Sequence, residues 1–341
     1  MLLRNSGVQP ADVAVSAGVA DKDRDALALP AQGVRLAPGE VTEVRWERAW
    51  PEAHLWSPDD PYLYRLTVQV KTPAGALLKE FRRRMGFRDF WIEGRDFVLN
   101  GKRIHLRGSN TNLPWAYCFT DPEYVRRIYG ARKNLGYNLI QYWADASVEG
   151  MGGQSCALDW TLDLCDEIGF IAAAGNVSHL QDVKDEAAYA NVVGAFTRRY
   201  GAHPSVCLWF VNPNTCWYNY GMHPANLDCV YEPTEGEPGF ANRAMARVAE
   251  DTVRAHDPQQ RPVFTYASGS FGPLYSAMQY MSLGLPIQEE ADWPSYWAEV
   301  GPKPLMPVET DLKWMPHWQD FEAVERSWVD KSPIPVYYVE H

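Results

Sequence analysis

Cysteine is scarce in this 341-residue chain, and its six copies show no C-x-x-C or other ligand-like spacing. That excludes the common structural zinc motifs. Cys165 and Cys207 sit in apolar surroundings and read as buried free thiols; Cys216 and Cys229 fall in loop-like sequence, where a disulfide stays open. No apolar run reaches the ~18 residues of a membrane span, so no membrane partner is expected. Positive charge is in deficit, 32 Lys and Arg against 43 Asp and Glu, for a net charge of -11. This argues against nucleic acid or an anionic bilayer as partner. His179, His203 and His223 form no visible metal triad, and no cofactor is expected; a lone loop histidine is usually a polar surface group. The chain does not open on a leader-like segment. Its start, Met1-Leu-Leu-Arg-Asn-Ser-Gly7, reads instead as the inside of a strand pair, so an N-terminally incomplete domain is expected. The compartment therefore stays open: periplasmic or secreted if a leader precedes, cytoplasmic otherwise. Nothing in the sequence fixes an oligomeric state.

What is abundant is apolar and aromatic. Hydrophobic residues make up 46% of the chain, which places it among globular proteins. The 14 Trp, 18 Tyr and 12 Phe permit a sugar-stacking site but fit an ordinary aromatic core at least as well. Residues 1 to about 90 alternate apolar and polar positions, as in Val41–Trp46 and Tyr64–Val70, between turn clusters such as Pro38-Gly39 and Pro73-Ala-Gly75. This predicts a β-sandwich. Asn100-Gly101 is a hairpin turn signal.

From Ile104 onward strands and helices alternate. Strands are predicted over Ile104–Arg107, Asn138–Trp143, Phe170–Ala174, Val206–Val211, Val263–Ala267, Ala277–Leu283, Leu305–Val308 and Pro335–Val339. Helices are predicted over Asp121–Leu135, Ala157–Ile168, Asp185–Tyr200, Phe240–His256, Asp292–Val300 and around Phe321–Val329. Eight strand candidates are what a (β/α)8 barrel requires. The expected organisation is an immunoglobulin-like β-sandwich over residues 1–90 and a TIM barrel over 91–341, the latter without a closing helix after its last strand.

Lys303 to Glu309 stands out in this frame. The short apolar run Leu305–Val308 fits a buried parallel strand and ends in one carboxylate. At the C-terminal end of a barrel strand, Glu309 would sit where catalytic groups sit. The plainer reading is a helix cap or an ion pair with a nearby arginine.

Several runs weigh against the plainer reading. Leu55-Trp-Ser-Pro-Asp-Asp-Pro-Tyr-Leu-Tyr64, Gly86-Phe-Arg88, Leu99-Asn-Gly-Lys102, Leu106-Arg-Gly108, Asp166-Glu-Ile-Gly-Phe170 and His203-Pro-Ser-Val206 together resemble glycoside hydrolase family 2. That family includes β-galactosidases, β-mannosidases and β-glucuronidases. The resemblance implies a carbohydrate substrate, a sandwich leading into a catalytic barrel, and a retaining two-carboxylate mechanism. It puts the nucleophile at Glu309. The acid/base carboxylate is expected in the segment Trp209-Phe-Val-Asn-Pro-Asn214, where Asn214 stands in its place and Pro213 stands for the usual Asn. An amide cannot donate and retrieve a proton near neutral pH. Gln141 stands where an Arg is common, and Asn110 and Asn112 stand where Asn and His are usual. Asn212-x-Asn214, Met222-His-Pro224 and Pro286-Ile-Gln-Glu-Glu-Ala-Asp-Trp293 resemble a divergent branch of large bacterial family-2-like proteins.

With Asn214 disqualified, the acid must come from another loop. Glu289, Glu290 and Asp292 follow the sixth predicted strand, and Asp145 follows the second. Glu289 is the chosen candidate, because an apolar approach over Leu283–Ile287 would bury it and raise its pKa. The competing reading is that these carboxylates stabilise a helix N-terminus. Asn110, Asn112, Trp143, Asn212, Asn214 and Trp293 are the expected substrate contacts. Trp217 is a further platform candidate, whereas Trp209, inside its strand, reads as core. Two functions remain in view: a β-glycosidase with a displaced acid, or a non-catalytic carbohydrate-binding relative that keeps Glu309 as a hydrogen-bond acceptor.

Overall fold

The computed structural model describes residues 1–110, 122–144, 153–176, 185–211, 240–265, 272–279 and 287–310. Its first 85 residues are antiparallel β. Strands β1 (Leu2–Arg4), β2 (Ala11–Asp21), β3 (Arg24–Leu36), β4 (Val41–Glu43), β5 (Tyr64–Lys71) and β6 (Leu77–Met85) form a four-stranded sheet in the order β3-β2-β5-β6 and a two-stranded sheet, β1-β4. Alternation decides the inner face. Val13, Val15 and Ala17 of β2 and Val68 and Val70 of β5 are buried together with Leu36 and Val44, and Leu3 and Trp46 pack on them from the other layer. Two apolar faces thus close on each other, as sandwich packing requires.

A three-stranded antiparallel sheet follows: β7 (Phe90–Glu93), β8 (Asp96–Leu99) and β9 (Lys102–Ile104). Leu99 pairs with Lys102, so the loop is the two residues Asn100 and Gly101, with φ of 52° and 77°. Both values are positive, as a type I′ hairpin demands, which is why this dipeptide sits here. Ile104 therefore ends a hairpin, correcting the expectation that it opens the first parallel strand.

That strand is β10 (Gly108–Asn110). It is followed by α1 (Pro122–Asn134), β11 (Leu139–Ala144), α2 (Gly153–Ile168), β12 (Ile171–Asn176), α3 (Glu186–Tyr200), β13 (Val206–Val211), α4 (Phe240–His256), β14 (Val263–Thr265), β15 (Tyr275–Gln279), α5 (Ile287–Val300) and β16 (Leu305–Thr310). Strands β10 to β14 form one parallel sheet in sequence order, and β15 and β16 form a second parallel pair. Consecutive order with intervening helices is the βαβ pattern. Among the described residues no ladder joins the two parallel sheets. The predicted helix near Phe321–Val329 and strand Pro335–Val339 lie outside the described residues.

Both faces of the parallel sheet are buried. Leu139, Ile171, Ala173, Leu208, Phe210, Phe264 and Tyr275 share one core with Trp56, Phe90, Phe97 and Leu99. On the other face Ala172, Ala174, Val206, Trp209 and Val263 pack against Tyr189, Val193 and Phe196 of α3 and Ala249 and Val253 of α4. Strands buried on both sides read as continuous apolar runs, as these do. Helix α3 is capped by Asp185, whose carboxylate accepts from the backbone N–H groups of Ala187 and Ala188. The described helices include none long and apolar enough to cross a membrane.

Candidate active site

Among the described residues, buried polar contacts join the N-terminal end of the parallel sheet to the sandwich. Trp56, fully buried, donates from Nε1 to the Asp166 carbonyl at 2.9 Å. Asp166, at the end of α2, lies 2.6 Å from His203 Nδ1 and accepts from the Ser205 N–H at 3.0 Å. Arg88 donates to the carbonyls of Pro204, at 3.0 Å, and Val206, and to the Gln259 side chain. Arg261 also donates to the Val206 carbonyl, at 2.9 Å. Gly169 has φ 77°, and a Cβ there would meet the Pro58 carbonyl oxygen at 2.2 Å, so only glycine lets the 55–64 loop lie this close. Lys133 Nζ donates to that same Pro58 oxygen at 2.5 Å. The motifs around Trp56, Arg88, Asp166 and His203 therefore serve the seam between the sandwich and the parallel sheet.

His203 is 5% exposed inside this seam, which removes it as a group that reaches a site at the other end. Asp163, Asp166 and His203 bring ligand-type atoms within 4.8 Å of one another. Both Asp166 oxygens are already committed to Ser205 and His203, and Asp163 lies 3.6 Å from the Arg84 guanidinium. The trio reads as a hydrogen-bonded junction and not as a metal centre. Next to it, Glu167 is gripped by Arg84 and, at 2.7 Å, by Arg126. Partial burial would raise the Glu167 carboxyl, but the two guanidiniums outweigh it and hold it below its ordinary value.

Trp209 is core, as its position in the strand implied. It is 1% exposed, donates to Asp257 Oδ2 at 2.8 Å, and carries the Arg261 guanidinium 4.7 Å over its ring. Cys165 and Cys207 are buried free thiols, both pushed up by burial.

Three sequence-derived candidates lie at the C-terminal ends of the parallel strands. Asn110 is the last residue of β10 and pairs with Gln141. Trp143 is the penultimate residue of β11 and pairs with Gly175. A Cβ on Gly175 would run into the Phe210 ring at 2.1 Å, so glycine is what allows these strands to come together above the core. Glu309 is the penultimate residue of β16. Pro307 pairs with Ala277 and Glu309 with Met278, leaving Val308 as a one-residue bulge immediately before the carboxylate. Such bulges re-aim side chains and recur beside active sites. Asn110 and Trp143 thus share one hydrogen-bonded sheet, and Glu309 occupies the equivalent end of the second.

Glu289 is placed differently from the expectation. Helix α5 begins at Ile287 and not at Asp292, so Glu289 is its third residue and Trp293 lies one turn further on. The first turn is the position in which a carboxylate stabilises a helix N-terminus. Asn112, Asn212, Asn214, Trp217, Asp145, His179 and His223 lie outside the described residues.

Residues 1–88 match the family model described as Glycosyl hydrolases family 2. Among curated proteins the chain is 26% identical over 182 residues to β-galactosidase BgaC of Bifidobacterium adolescentis, covering 45% of this chain and 16% of that protein. It is 26% identical over 232 residues to a β-galactosidase of Pectobacterium atrosepticum, covering 61% and 21% respectively. Over 180 residues it is 26% identical to β-mannosidase A of Aspergillus clavatus, covering 46% and 18%. The chain thus spans about a fifth of the length of these relatives. Among solved structures, a galacturonate-bound β-galacturonidase from Eisenbergiella tayi superposes with a TM-score of 0.67 at 20% identity, over 89% of this chain and 52% of that one. A β-glucuronidase of Bacteroides uniformis gives 0.68 at 19% identity, over 89% and 36%. At these identities the structural likeness speaks to the fold. Family model, curated relatives and fold agree with the motifs that run along the sequence, and the chain is similar to glycoside hydrolase family 2 proteins.

Proposed function

We propose that the chain carries the immunoglobulin-like sandwich, residues 1–90, and the (β/α)8 catalytic unit, residues 91–341, of a glycosidase acting on β-linked glycosides, with Glu309 as nucleophile. The observation that carries this reading is the position of Glu309, at the C-terminal end of a parallel strand, just past a bulge and opposite the seam. Asn110 and Trp143 end neighbouring strands on the corresponding side and supply a hydrogen-bonding group and an aromatic surface for a sugar ring. Asn112, Asn212, Asn214 and Trp293 are proposed as further sugar contacts. Relatives named as β-galactosidases make a β-galactoside the first substrate to try.

A retaining mechanism needs two carboxyls about 5 Å apart, one as nucleophile and one as acid/base. Asn214 occupies the acid/base position of the motif, so the second group must come from elsewhere, and Glu289 is the proposed replacement. General acid assistance contributes ~10²–10⁴-fold when the leaving group is an alkoxide and far less for a phenoxide. Glu289→Gln should therefore depress hydrolysis of an alkyl β-galactoside much more than that of an aryl one, whereas Glu309→Gln should abolish both. Equal, small effects of Glu289→Gln on the two substrates remove Glu289 from the mechanism. The second reading, a carbohydrate-binding relative without turnover, is favoured by the first-turn position of Glu289. Saturable sugar binding with no hydrolysis of either substrate would select it.

A further inference from the structure

We infer that the sugar site takes an uncharged glycoside and turns away one that carries a carboxylate. The inference rests on the glycosidase reading above and adds what the sugar must lack, the negative charge of a galacturonate such as the superposed galacturonidase holds.

The parallel-sheet half sorts its charges along the strand axis. Cations stand where strands begin. Arg107, just before β10, donates to the Gly136 carbonyl at 2.6 Å. Lys133, near the end of α1, donates to the Pro58 carbonyl at 2.5 Å and to the carbonyl of Ile168, the last residue of α2. Arg261, ahead of β14, donates to the carbonyl of Val206, the first residue of β13, at 2.9 Å. Lys303, ahead of β16, donates to the Gly272 carbonyl at 2.8 Å.

Where the strands end, the described residues include no lysine or arginine. β10 closes on Asn110, β12 on Asn176, β14 on Thr265 and β15 on Gln279, while β11 closes on Trp143 and Ala144, β13 on Val211 and β16 on Glu309 and Thr310. Two residues before Trp143, Gln141 is 5% exposed. It pairs with Asn110 on one side and on the other with Ala173, which belongs to the inner core. The family resemblance leads one to expect an arginine here; the amide offers hydrogen bonds without charge. The sequence that follows the strands has the same sign. Between the ends of β10 to β15 and the next element in each case, the chain carries nine Asp and Glu against one cation, Lys184. Asp311 and Lys313, after β16, cancel.

Distance keeps the two ends electrically apart. A six-residue strand such as β11 spans ~20 Å. That is about two Debye lengths at physiological salt, so the cations at the strand starts do not offset Glu309 and the acids that follow the strands. A region of one charge sign changes the local concentration of small ions by about tenfold or more. A uronate is depleted there, whereas a hexoside with a neutral hydroxymethyl group is not.

The test uses the whole chain and three thioglycosides, which resist hydrolysis and so report binding apart from catalysis: a methyl thio-β-galactoside, the matching thio-β-galacturonide, and its uronamide, which has the shape of the uronate without the charge. Titration calorimetry should find the galactoside and the uronamide bound, and the uronate about tenfold weaker than the uronamide at low salt. The gap should shrink to under about threefold in roughly 0.5 M salt. Glu309→Gln, which removes one of the charges, should also narrow it. A uronate bound as tightly as the uronamide, a gap that salt leaves unchanged, or binding of none of the three would each overturn the inference. An aryl β-galactoside assayed alongside separates the two readings. Its hydrolysis together with tight uronate binding overturns the inference and leaves the glycosidase standing. The expected binding order with no hydrolysis supports the inference and overturns the glycosidase.

Discussion

Replacing Asp257 by alanine should be among the most damaging single changes in the parallel-sheet half of the chain. Asp257 and Arg261 are each 1% exposed. Asp257 Oδ2 accepts from Arg261 Nε at 2.8 Å, from the Arg261 backbone N–H at 3.1 Å and from Trp209 Nε1 at 2.8 Å. Its Oδ1 accepts from Arg261 Nη2 at 2.8 Å and from the Gln259 N–H at 3.2 Å. Alanine leaves a buried guanidinium with no counter-charge and only the Val206 carbonyl to accept from it, and a buried indole N–H without an acceptor. Breaking a buried ion pair from one side costs about 3–5 kcal/mol, because the surviving charge stays desolvated. Against a typical total stability of ~5–15 kcal/mol, that is about a fifth or more. Urea denaturation followed by tryptophan fluorescence reads it as a lower midpoint. Asp257→Ala/Arg261→Met, which removes both charges, should recover a large part of the loss. The sign with pH is fixed as well. Burial by itself would raise the Asp257 carboxyl, but the Arg261 guanidinium outweighs it and holds the group below its ordinary value. Its contribution is then complete above the unfolded carboxyl value of ~4 and fades as pH falls through the lower folded value. The gap between parent and Asp257→Ala should narrow in acid. An Asp257→Ala protein within about 1 kcal/mol of the parent at pH 7 would refute the reasoning.

Gly169→Ala should destabilise by ~2 kcal/mol or more, since it combines a positive φ with a Cβ at 2.2 Å from the Pro58 oxygen; a thermal melt matching the parent would contradict this. Cys165 and Cys207 should resist alkylation in the native protein at pH 8 and react only on unfolding, as mass spectrometry of the modified peptides would show; native labelling of either would mean its burial is transient. The alkyl-against-aryl comparison of Glu289→Gln set out above completes the set.

Local rules made most of the frame legible. Pro122 opens α1, Asp185 caps α3, and Asn100-Gly101 turns the β8–β9 hairpin, each through a preference that acts within a few residues. The apolar runs of β11 to β14 and β16 announced strands because a strand buried on both faces needs no alternation. The misplacements have local causes too. Helix α5 was expected from Asp292; it instead begins at Ile287 and carries Pro294 in its interior, where the proline lacks an N–H to offer Glu290. Ile104–Arg107 looked like a strand by apolar content, whereas β10 begins at Gly108, a weak strand former held by its pairing with Leu139.

The seam was legible only as motif. No rule acting within a few residues links Trp56 to Asp166, Asp166 to His203, or Arg88 to Val206. Those contacts exist only once the sandwich has docked on the sheet. The same limit hid the role of His203, whose sequence context suits a loop and whose place is a buried junction. Trp143 was expected to end a strand and Glu309 to follow one, and they are the penultimate residues of β11 and β16; Asn110 was expected beyond a strand ending at Arg107 and instead ends β10. The identity of the acid depends on distances between loops, which no single stretch of sequence encodes.

The central claim is that Glu309 is a nucleophile. The chain should be incubated with an activated aryl 2-deoxy-2-fluoro-β-galactoside, a substrate whose glycosyl–enzyme ester forms and then hydrolyses slowly, and the protein digested for peptide mass spectrometry. The account predicts a mass increase of one fluoroglycosyl group on the peptide containing Glu309, and none in Glu309→Gln. Turnover of the aryl glycoside with the sugar trapped on a different carboxylate would contradict it.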